Sequence, residues 1–484
     1  MLAPSHNPEE SVVSTAPQAS RATSESEVSL LVLVSTALLA IGSVLYLGVL
    51  AGMAFPSTME SILSFGRLRP AALSVTMLGG LVVGFSAGAY YVLPRLTGTA
   101  LVSPGLARAG GLATAALSVV GMLTSLFGIS DGVEPLGFPW WLDIPVLVAL
   151  TIPLVVTIRT VAARTEKGVY PTLWFVMGGT VWLPLLYLAA NIPGLNTIAQ
   201  ALQGATFTAG FGTLWVTVMG VGLAYYTVVK ASEEPLASRQ LAQVGFWSLA
   251  FAAIWAGPVQ LVFGPTPDWL DALAAVFTLA LPVAALANSY AIAATLGRAW
   301  EDLGSRPSLI ATLAGMGMTI LVGAATAVAS FRSAASLVAL TTYWEGVLVA
   351  TLFGVGSLLS AGWVHQGLRA VLGLRPPDDA PAVRHVKLTA WGTTSTALLL
   401  MLAGVVTGVG WTANAYAQSP AVGEAWAVST VGRTLVGLSV LTGVVMVAGQ
   451  LSFLVSVYRT VTAGLGDTRE VLVPTGTRQG GSDE

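Results

Sequence analysis

The sequence has no cysteine, three histidines and few charges, and each shortage excludes a class of protein. Without cysteine there can be no disulfide, iron–sulfur cluster, zinc–thiolate site or covalently attached c-type haem. Only 9% of the 484 residues are charged and 55% are hydrophobic, whereas soluble proteins carry roughly 25% charged residues. A soluble enzyme is therefore excluded, and the net charge of -2 gives no basic field for nucleic acid.

Long apolar runs replace the missing charges. A helix needs about 20 apolar residues to cross a bilayer, and lipid offers no partner to an exposed backbone group, so each run must be helical. The sequence predicts an all-α integral membrane protein with twelve spans, at about 29–54, 69–93, 108–129, 141–163, 171–191, 197–229, 242–263, 268–297, 308–331, 336–363, 386–410 and 428–458.

The two ends of the chain are polar. We expect residues 1–28 to be a disordered N-terminal tail, because they are rich in Ser, Pro and Glu and lack the basic start and cleavage site of a signal peptide. Residues 29–462 then form one membrane domain, and residues 463–484 form a C-terminal tail. The longest predicted internal loop is 366–385.

The basic residues predict the orientation. With twelve spans, 17 of the 21 Lys and Arg fall on the side that holds both termini. The other side has only Arg67, Arg69, Arg332 and Arg433. The positive-inside rule therefore predicts that both termini are cytoplasmic and that the protein spans the inner membrane many times.

An ordered series of short motifs carries a resemblance to a known family. The motifs are GRLRPAALS (66–74), YYVLPRLTG (90–98), PWWLD (139–143), WLPLLYL (182–188), YYTVVK (225–230), GFWSLAF (245–251), WAG (255–257) and GPTPDW (264–269). Their order resembles subunit I of the C-family (cbb-type) haem–copper oxygen reductases, which are related to the nitric oxide reductase large subunit. The resemblance covers roughly residues 60 to 460 and implies a twelve-helix bundle with haem b and copper inside it.

The metal ligands that the resemblance implies are missing. In the family they are the low-spin haem ligand of the second helix, a copper ligand of the sixth, a cross-linked tyrosine and an adjacent histidine pair of the seventh, and a His-x-His pair of the tenth. The corresponding residues in this chain are Ala72, Ala209, Ala253, Val259, Gln260, Leu348 and Ala350. Iron needs an axial donor such as His, Cys, Met or Tyr, so we expect no haem, no copper and no other metal.

The remaining donors do not replace the lost ligands. His6, His365 and His385 are predicted to be solvated residues of the tail and the cytoplasmic surface. Met77 and Met219 lie on helices that could face a haem, but scattered methionines usually serve apolar packing.

A few polar residues stay candidates for function. Glu345, predicted about ten residues inside the tenth span, is a candidate proton site together with Gln260 and Asn288, since buried ionisable groups in membranes are often functional. The alternative is that Glu345 lies nearer the membrane surface than this, or that it forms a structural pair with Arg332 or Tyr343. Three outward-side cations could dock a partner protein: Arg67, Arg69 and Arg433.

Three functions stay open at the level of the sequence. The first is a haem-free scaffold or accessory subunit of a respiratory electron-transfer complex, bound to a membrane-anchored c-type cytochrome or to other respiratory subunits and not catalytic alone. The second is an active terminal oxidase or nitric oxide reductase subunit with unorthodox ligands. The third is a transporter that uses the vacated cavity.

Overall fold

The computed structural model describes residues 18–56, 64–132, 135–262, 264, 266–372, 380–416 and 430–472. Twelve helices in these residues are long and apolar enough to cross a membrane, which confirms the predicted number. They are α1 (Gln18–Ala54), α2 (Phe65–Thr97), α3 (Pro104–Leu126), α4 (Trp140–Ala162), α5 (Pro171–Ala190), α6 (Thr197–Ser232), α7 (Arg239–Leu261), α8 (Asp268–Thr295), α9 (Pro307–Ser330), α10 (Tyr343–Leu372), α11 (Ala380–Tyr416) and α12 (Thr430–Leu472).

Three helices form the centre of the bundle. The most apolar stretches of α2, α6 and α10 are 100%, 94% and 100% buried, whereas those of the other nine helices are 33–61% buried. A helix that is hydrophobic on every side is stable only where protein or lipid surrounds it. The other nine helices therefore surround these three and present their outer faces to lipid.

Each central helix has a π-helical segment near its middle. These segments are Ser74–Val82 in α2, Gly210–Val216 in α6 and Ala350–Gly356 in α10. π-helical turns are rare and are found mostly at functional sites. All three lie in the helices on which the resemblance places most of its haem and copper ligands.

Glycine brings the central helices into direct contact. A methyl group on Gly356 of α10 would lie 2.9 Å from Leu81 Cδ1 and Cδ2 of α2 and 3.3 Å from Val216 Cγ1 of α6. A methyl group on Gly212 would lie 2.6 Å from Thr351 Cγ2. Small residues allow this close approach of helix backbones in membranes, so the middle of the bundle is tightly packed.

The helices extend beyond the predicted spans. α1 begins at Gln18, inside the segment predicted to be disordered, and α12 continues to Leu472, inside the predicted C-terminal tail. α10 and α11 likewise shorten the predicted loop 366–385, since only 373–379 lie between them. Hydropathy detects the part of a helix that lipid surrounds and not its polar ends, which explains these differences. Residues 1–17 and 473–484 of the predicted tails lie outside the described residues.

The tenth span begins later than predicted. The predicted range 336–363 starts within a separate short helix, Arg332–Val338, and the chain then turns through Leu340, whose φ is +57°. α10 starts only at Tyr343. This shift places Glu345 in the first helical turn, not ten residues inside the span.

Candidate functional site

A small polar cavity lies among α2, α6, α7, α9 and α10. Its volume is about 60 Å³, and a polar cavity of this size has room for water. The lining residues are Arg69, Thr208, Ala209, Gly212, Thr213, Ala256, Gln260, Thr326, Trp344, Glu345, Val347, Leu348 and Thr351. Arg69 is the fifth residue of α2 and Glu345 is the third of α10, so the cavity lies towards the membrane face opposite the one rich in basic residues.

An ion pair forms one side of the cavity. Arg69 Nε lies 3.2 Å from Glu345 Oε2 and 3.4 Å from Oε1, and the two side chains are only 14% and 11% exposed. The fully buried Tyr46 of α1 donates a hydrogen bond from its hydroxyl to Glu345 Oε1. Glu345 also lies at the N-terminus of α10, where the helix dipole favours negative charge. Three helices are thus joined at one carboxylate.

These contacts correct the expected partners of Glu345. Arg332 is exposed and lies 3.8 Å from Asp268, and the hydroxyl of Tyr343 donates to the carbonyl of Ala325 at 2.8 Å. Neither residue pairs with Glu345, although both were its expected structural partners. Because Arg69 is held by Glu345 inside the protein, it is also unsuitable as a docking residue for a partner.

Three of the positions that the resemblance assigns to metal ligands lie at this cavity. Ala209 of α6, Gln260 of α7 and Leu348 of α10 all line it. Ala253 is adjacent, since its carbonyl accepts a hydrogen bond of 3.2 Å from the hydroxyl of Thr213. Residues more than a hundred positions apart in the sequence therefore come together as the resemblance implies. Val259, next to Gln260, is buried.

The other two positions lie in the buried apolar core, and large aromatic side chains pack elsewhere along the central helices. Ala72 of α2 and Ala350 of α10 are fully buried and do not line the cavity. The aromatic contacts of the central helices include Phe353 with Tyr46 at 5.4 Å, and Phe85 and Phe211 with Trp215 at 5.8 and 4.8 Å between ring centroids.

The residues present do not fit a haem or a copper ion at the family positions. Alanine, valine and leucine offer no donor atom, and a glutamine amide is a poor substitute for an imidazole. The cavity of about 60 Å³ is far below the roughly 300–1,000 Å³ of a cofactor site. Met77 and Met219 are buried, and the Met219 sulfur packs against Gly179. Within the described residues, no three or more His, Cys, Asp or Glu are grouped as metal ligands.

The third predicted member of the polar site lies elsewhere. Asn288 of α8 is buried, accepts a hydrogen bond of 2.8 Å from the hydroxyl of Tyr225, and donates one of 2.9 Å to the carbonyl of Ala284. It does not line the cavity. The sequence predicts that Glu345, Gln260 and Asn288 form one polar site. Only Glu345 and Gln260 line the same cavity, because the side chain of Asn288 is hydrogen-bonded between α8 and α6.

The other two candidate docking residues, Arg67 and Arg433, differ in exposure. Arg433 is exposed at the start of α12, and Arg67 is half-buried beside Gly128. Both keep their predicted place as candidate contacts for a partner.

Both histidines of the described residues contradict their prediction as solvated residues. His365 is 7% exposed and His385 is fully buried, because α10 and α11 extend past the predicted spans and enclose them. The sequence also gave no reason to single out Tyr46 or Trp344. The indole nitrogen of Trp344 is buried at the cavity and has no hydrogen-bond partner.

Known proteins similar to this chain are respiratory oxidase subunits. The family described as cytochrome c and quinol oxidase polypeptide I matches residues 28–438. The cbb3-type cytochrome c oxidase subunit CcoN1 of Stutzerimonas stutzeri is 26% identical over 367 residues, covering 72% of this chain and 76% of that protein. Cytochrome c oxidase subunit 1 of Rhodobacter capsulatus is 26% identical over 387 residues, covering 74% and 71%.

The fold is also found in a solved structure. A chain of a haem–copper terminal oxidase dimer superposes with a TM-score of 0.71 at 12% identity, covering 92% of this chain and 84% of that one. The family match extends over most of the twelve helices. The chain therefore belongs to the cytochrome c and quinol oxidase polypeptide I family, as the ordered motifs predict, and has the fold of haem–copper oxidase subunit I.

Proposed function

We propose that this protein is a haem-free relative of oxidase subunit I that acts as a membrane scaffold or accessory subunit of a respiratory electron-transfer complex. The observation that carries the proposal is the cavity at the lost ligand positions. Ala209, Gln260 and Leu348 stand there, and the space beside them is about 60 Å³. A residue set without an imidazole, in a space too small for a cofactor, supports a role that does not depend on haem or copper.

The packing of the bundle supports the same proposal. A subunit that had only lost its ligands would keep a large apolar void, and voids destabilise a core by about 24 cal/mol per Å³. Here aromatic rings and close glycine contacts hold the central helices together. This packing supports a bundle that holds together without a cofactor and contacts other subunits through its outer helices.

The proposed partners come from the relatives. The similar proteins are named as subunits of cytochrome c oxidases. We propose that this chain binds a membrane-anchored c-type cytochrome or other respiratory subunits, with Arg67 and Arg433 as candidate contacts. In this proposal both termini face the cytoplasm, as the distribution of basic residues predicts.

A haem assay tests the proposal directly. The full-length protein, purified in mild detergent from its native membrane, is analysed as the pyridine haemochrome and by its reduced-minus-oxidised spectrum. We expect much less than one b-type haem per chain. Stoichiometric haem b would overturn the proposal and favour an active oxidase or nitric oxide reductase with unorthodox ligands.

The partners are tested by the same purification. We expect c-type cytochromes or other respiratory subunits to co-purify in fixed ratio, and Arg67→Glu together with Arg433→Glu to weaken that association. Lys387→Glu, which changes a cation on the opposite face, serves as the control. A stable protein that purifies alone, with no respiratory subunit in any detergent, would contradict the scaffold and favour a transporter.

A further inference from the structure

Two of the three histidines in the sequence lie against each other, far from the cavity described above. His365 is near the end of α10 and His385 is near the start of α11, so both belong to the end of the bundle rich in basic residues. Their ring centroids are 5.7 Å apart. Phe453 of α12 stacks on His385 with centroids 4.4 Å apart and contacts the edge of His365 at 5.6 Å.

The hydrogen bonds of His385 identify which of its nitrogens is free to bind. Its Nδ1 lies 2.8 Å from the backbone carbonyl of Gly449. A carbonyl can only accept, so Nδ1 carries the hydrogen and the lone pair of the neutral ring is at Nε2. Metal-binding histidines typically have this arrangement, in which one ring nitrogen donates to a carbonyl and orients the other.

The outer nitrogens of both rings are left without a partner. Nε2 of His365 and Nε2 of His385 are buried and make no hydrogen bond. A buried polar atom without a partner is costly, and here two such atoms belong to neighbouring rings. A small cavity of about 10 Å³ adjoins His365 and is lined also by Arg369, Ser456 and Thr460.

The spacing of the rings suits a single bridging ion. With each Nε2 roughly 2.0–2.1 Å from a metal, as for zinc, two imidazoles on one ion have centroids roughly 5–6.5 Å apart, depending on the angle at the metal. The observed 5.7 Å lies within this range.

We propose that His365 and His385 form a two-histidine site for a copper(I) ion. Imidazole nitrogen is a donor that suits copper and zinc. Among the residues that the structure describes, no carboxylate joins the two histidines to balance a divalent charge, and Arg369 lines the adjacent cavity. Burying an unbalanced charge is costly in an apolar interior, so the site favours the ion of single positive charge. It is separate from the lost copper ligands of the α6, α7 and α10 cavity.

The test is a titration of the purified full-length protein in detergent with copper(I) under reducing, anaerobic conditions, buffered by bathocuproine disulfonate. We expect one copper per chain, with X-ray absorption that shows two nitrogen donors of imidazole type. His365→Leu and His385→Asn should each lower the bound copper at least tenfold. His6→Ala is the matched control, since it removes the third histidine and leaves the pair intact.

Two results would overturn the proposal. One is the absence of stoichiometric copper in the wild-type protein, and the other is full copper binding in both pair variants. Circular dichroism and size-exclusion profiles of the variants check that each is folded. Phe453→Leu keeps both imidazoles and should retain copper, which separates loss of a ligand from loss of packing. The haem content of the same samples is measured independently, so failure here does not affect the proposed scaffold function.

Discussion

The contribution of the ion pair between Arg69 and Glu345 to the unfolding free energy can be measured with two single variants and one double variant. Glu345→Gln leaves a guanidinium at the cavity without its carboxylate, and Arg69→Gln leaves the carboxylate without its cation. The double variant has neither charge. Both wild-type side chains are less than 15% exposed, so the value of about 0–1 kcal/mol measured for surface pairs does not apply.

The magnitude follows from the contacts. Removing one partner of a buried pair costs about 3–5 kcal/mol, and the cavity reduces this cost because it has room for water beside the charge. In Glu345→Gln the amide oxygen still accepts from Tyr46, which preserves one hydrogen bond. We expect each single variant to lose about 2–4 kcal/mol of unfolding free energy and the double variant to lose less than the sum, with a coupling of about 2 kcal/mol.

The measurement is the unfolding free energy in detergent micelles titrated with SDS, followed by tryptophan fluorescence. Arg433→Gln is the matched control, because it removes an exposed cation from the same face; its loss should stay within about 0.5 kcal/mol. A coupling below about 0.5 kcal/mol would show that the two charges act independently, and the reasoning from burial would then be wrong. Unchanged assembly and activity of the complex in Glu345→Gln would further remove this carboxylate as a functional proton site.

Three further predictions follow from the packing. Gly356→Ala should lower the unfolding free energy by about 1–3 kcal/mol, because its methyl group overpacks against α2 and α6. Gly317→Ala is the control, since its added methyl group meets nothing within 4 Å, and it should be neutral or stabilising in the same SDS titration. Tyr225→Phe should cost about 1–3 kcal/mol because Asn288 loses its donor; a loss equal to that of an exposed Tyr290→Phe would contradict this hydrogen bond. Ala72→His should not restore stoichiometric haem, since its single added donor enters a packed interior. The pyridine haemochrome assay measures this, and one haem b per chain would refute the argument from filled volume.

The sequence predicts the number of helices well but their ends poorly. Hydropathy shows which stretches of the chain are apolar enough to be surrounded by lipid, and it detects all twelve spans. Hydropathy does not detect the polar turns by which α1, α11 and α12 extend beyond the bilayer. Hydropathy also fails to detect the turn at Leu340, because Leu337, Val338 and Ala339 before it are apolar. That single turn moves Glu345 from the middle of a predicted span to the start of α10.

The site is predictable only where a resemblance supplies long-range information. Ala209, Gln260 and Leu348 are linked by family motifs, and the structure brings them to one cavity. No local pattern links Tyr46 to Glu345, which are 299 residues apart. His365 and His385 are only twenty positions apart, yet the proline and aspartate residues between them favour an exposed loop. Their burial follows from the packing of α10 and α11 against α12, which no window of sequence contains.

The character of the lining explains why one part of the bundle interior stays open and another is closed. Near Ala209 the lining includes Arg69, Gln260 and threonine hydroxyls, so water can hydrogen-bond there and an open cavity is tolerable. Around Ala72 the neighbours are apolar, and an empty space would lose dispersion contacts on every side. Near Ala350, Phe353 of the same helix packs against Tyr46, with ring centroids 5.4 Å apart. Small apolar residues at these positions are thus compatible with a bundle whose dry region is closed by its apolar core and whose wet region holds an ion pair with its hydroxyl donor.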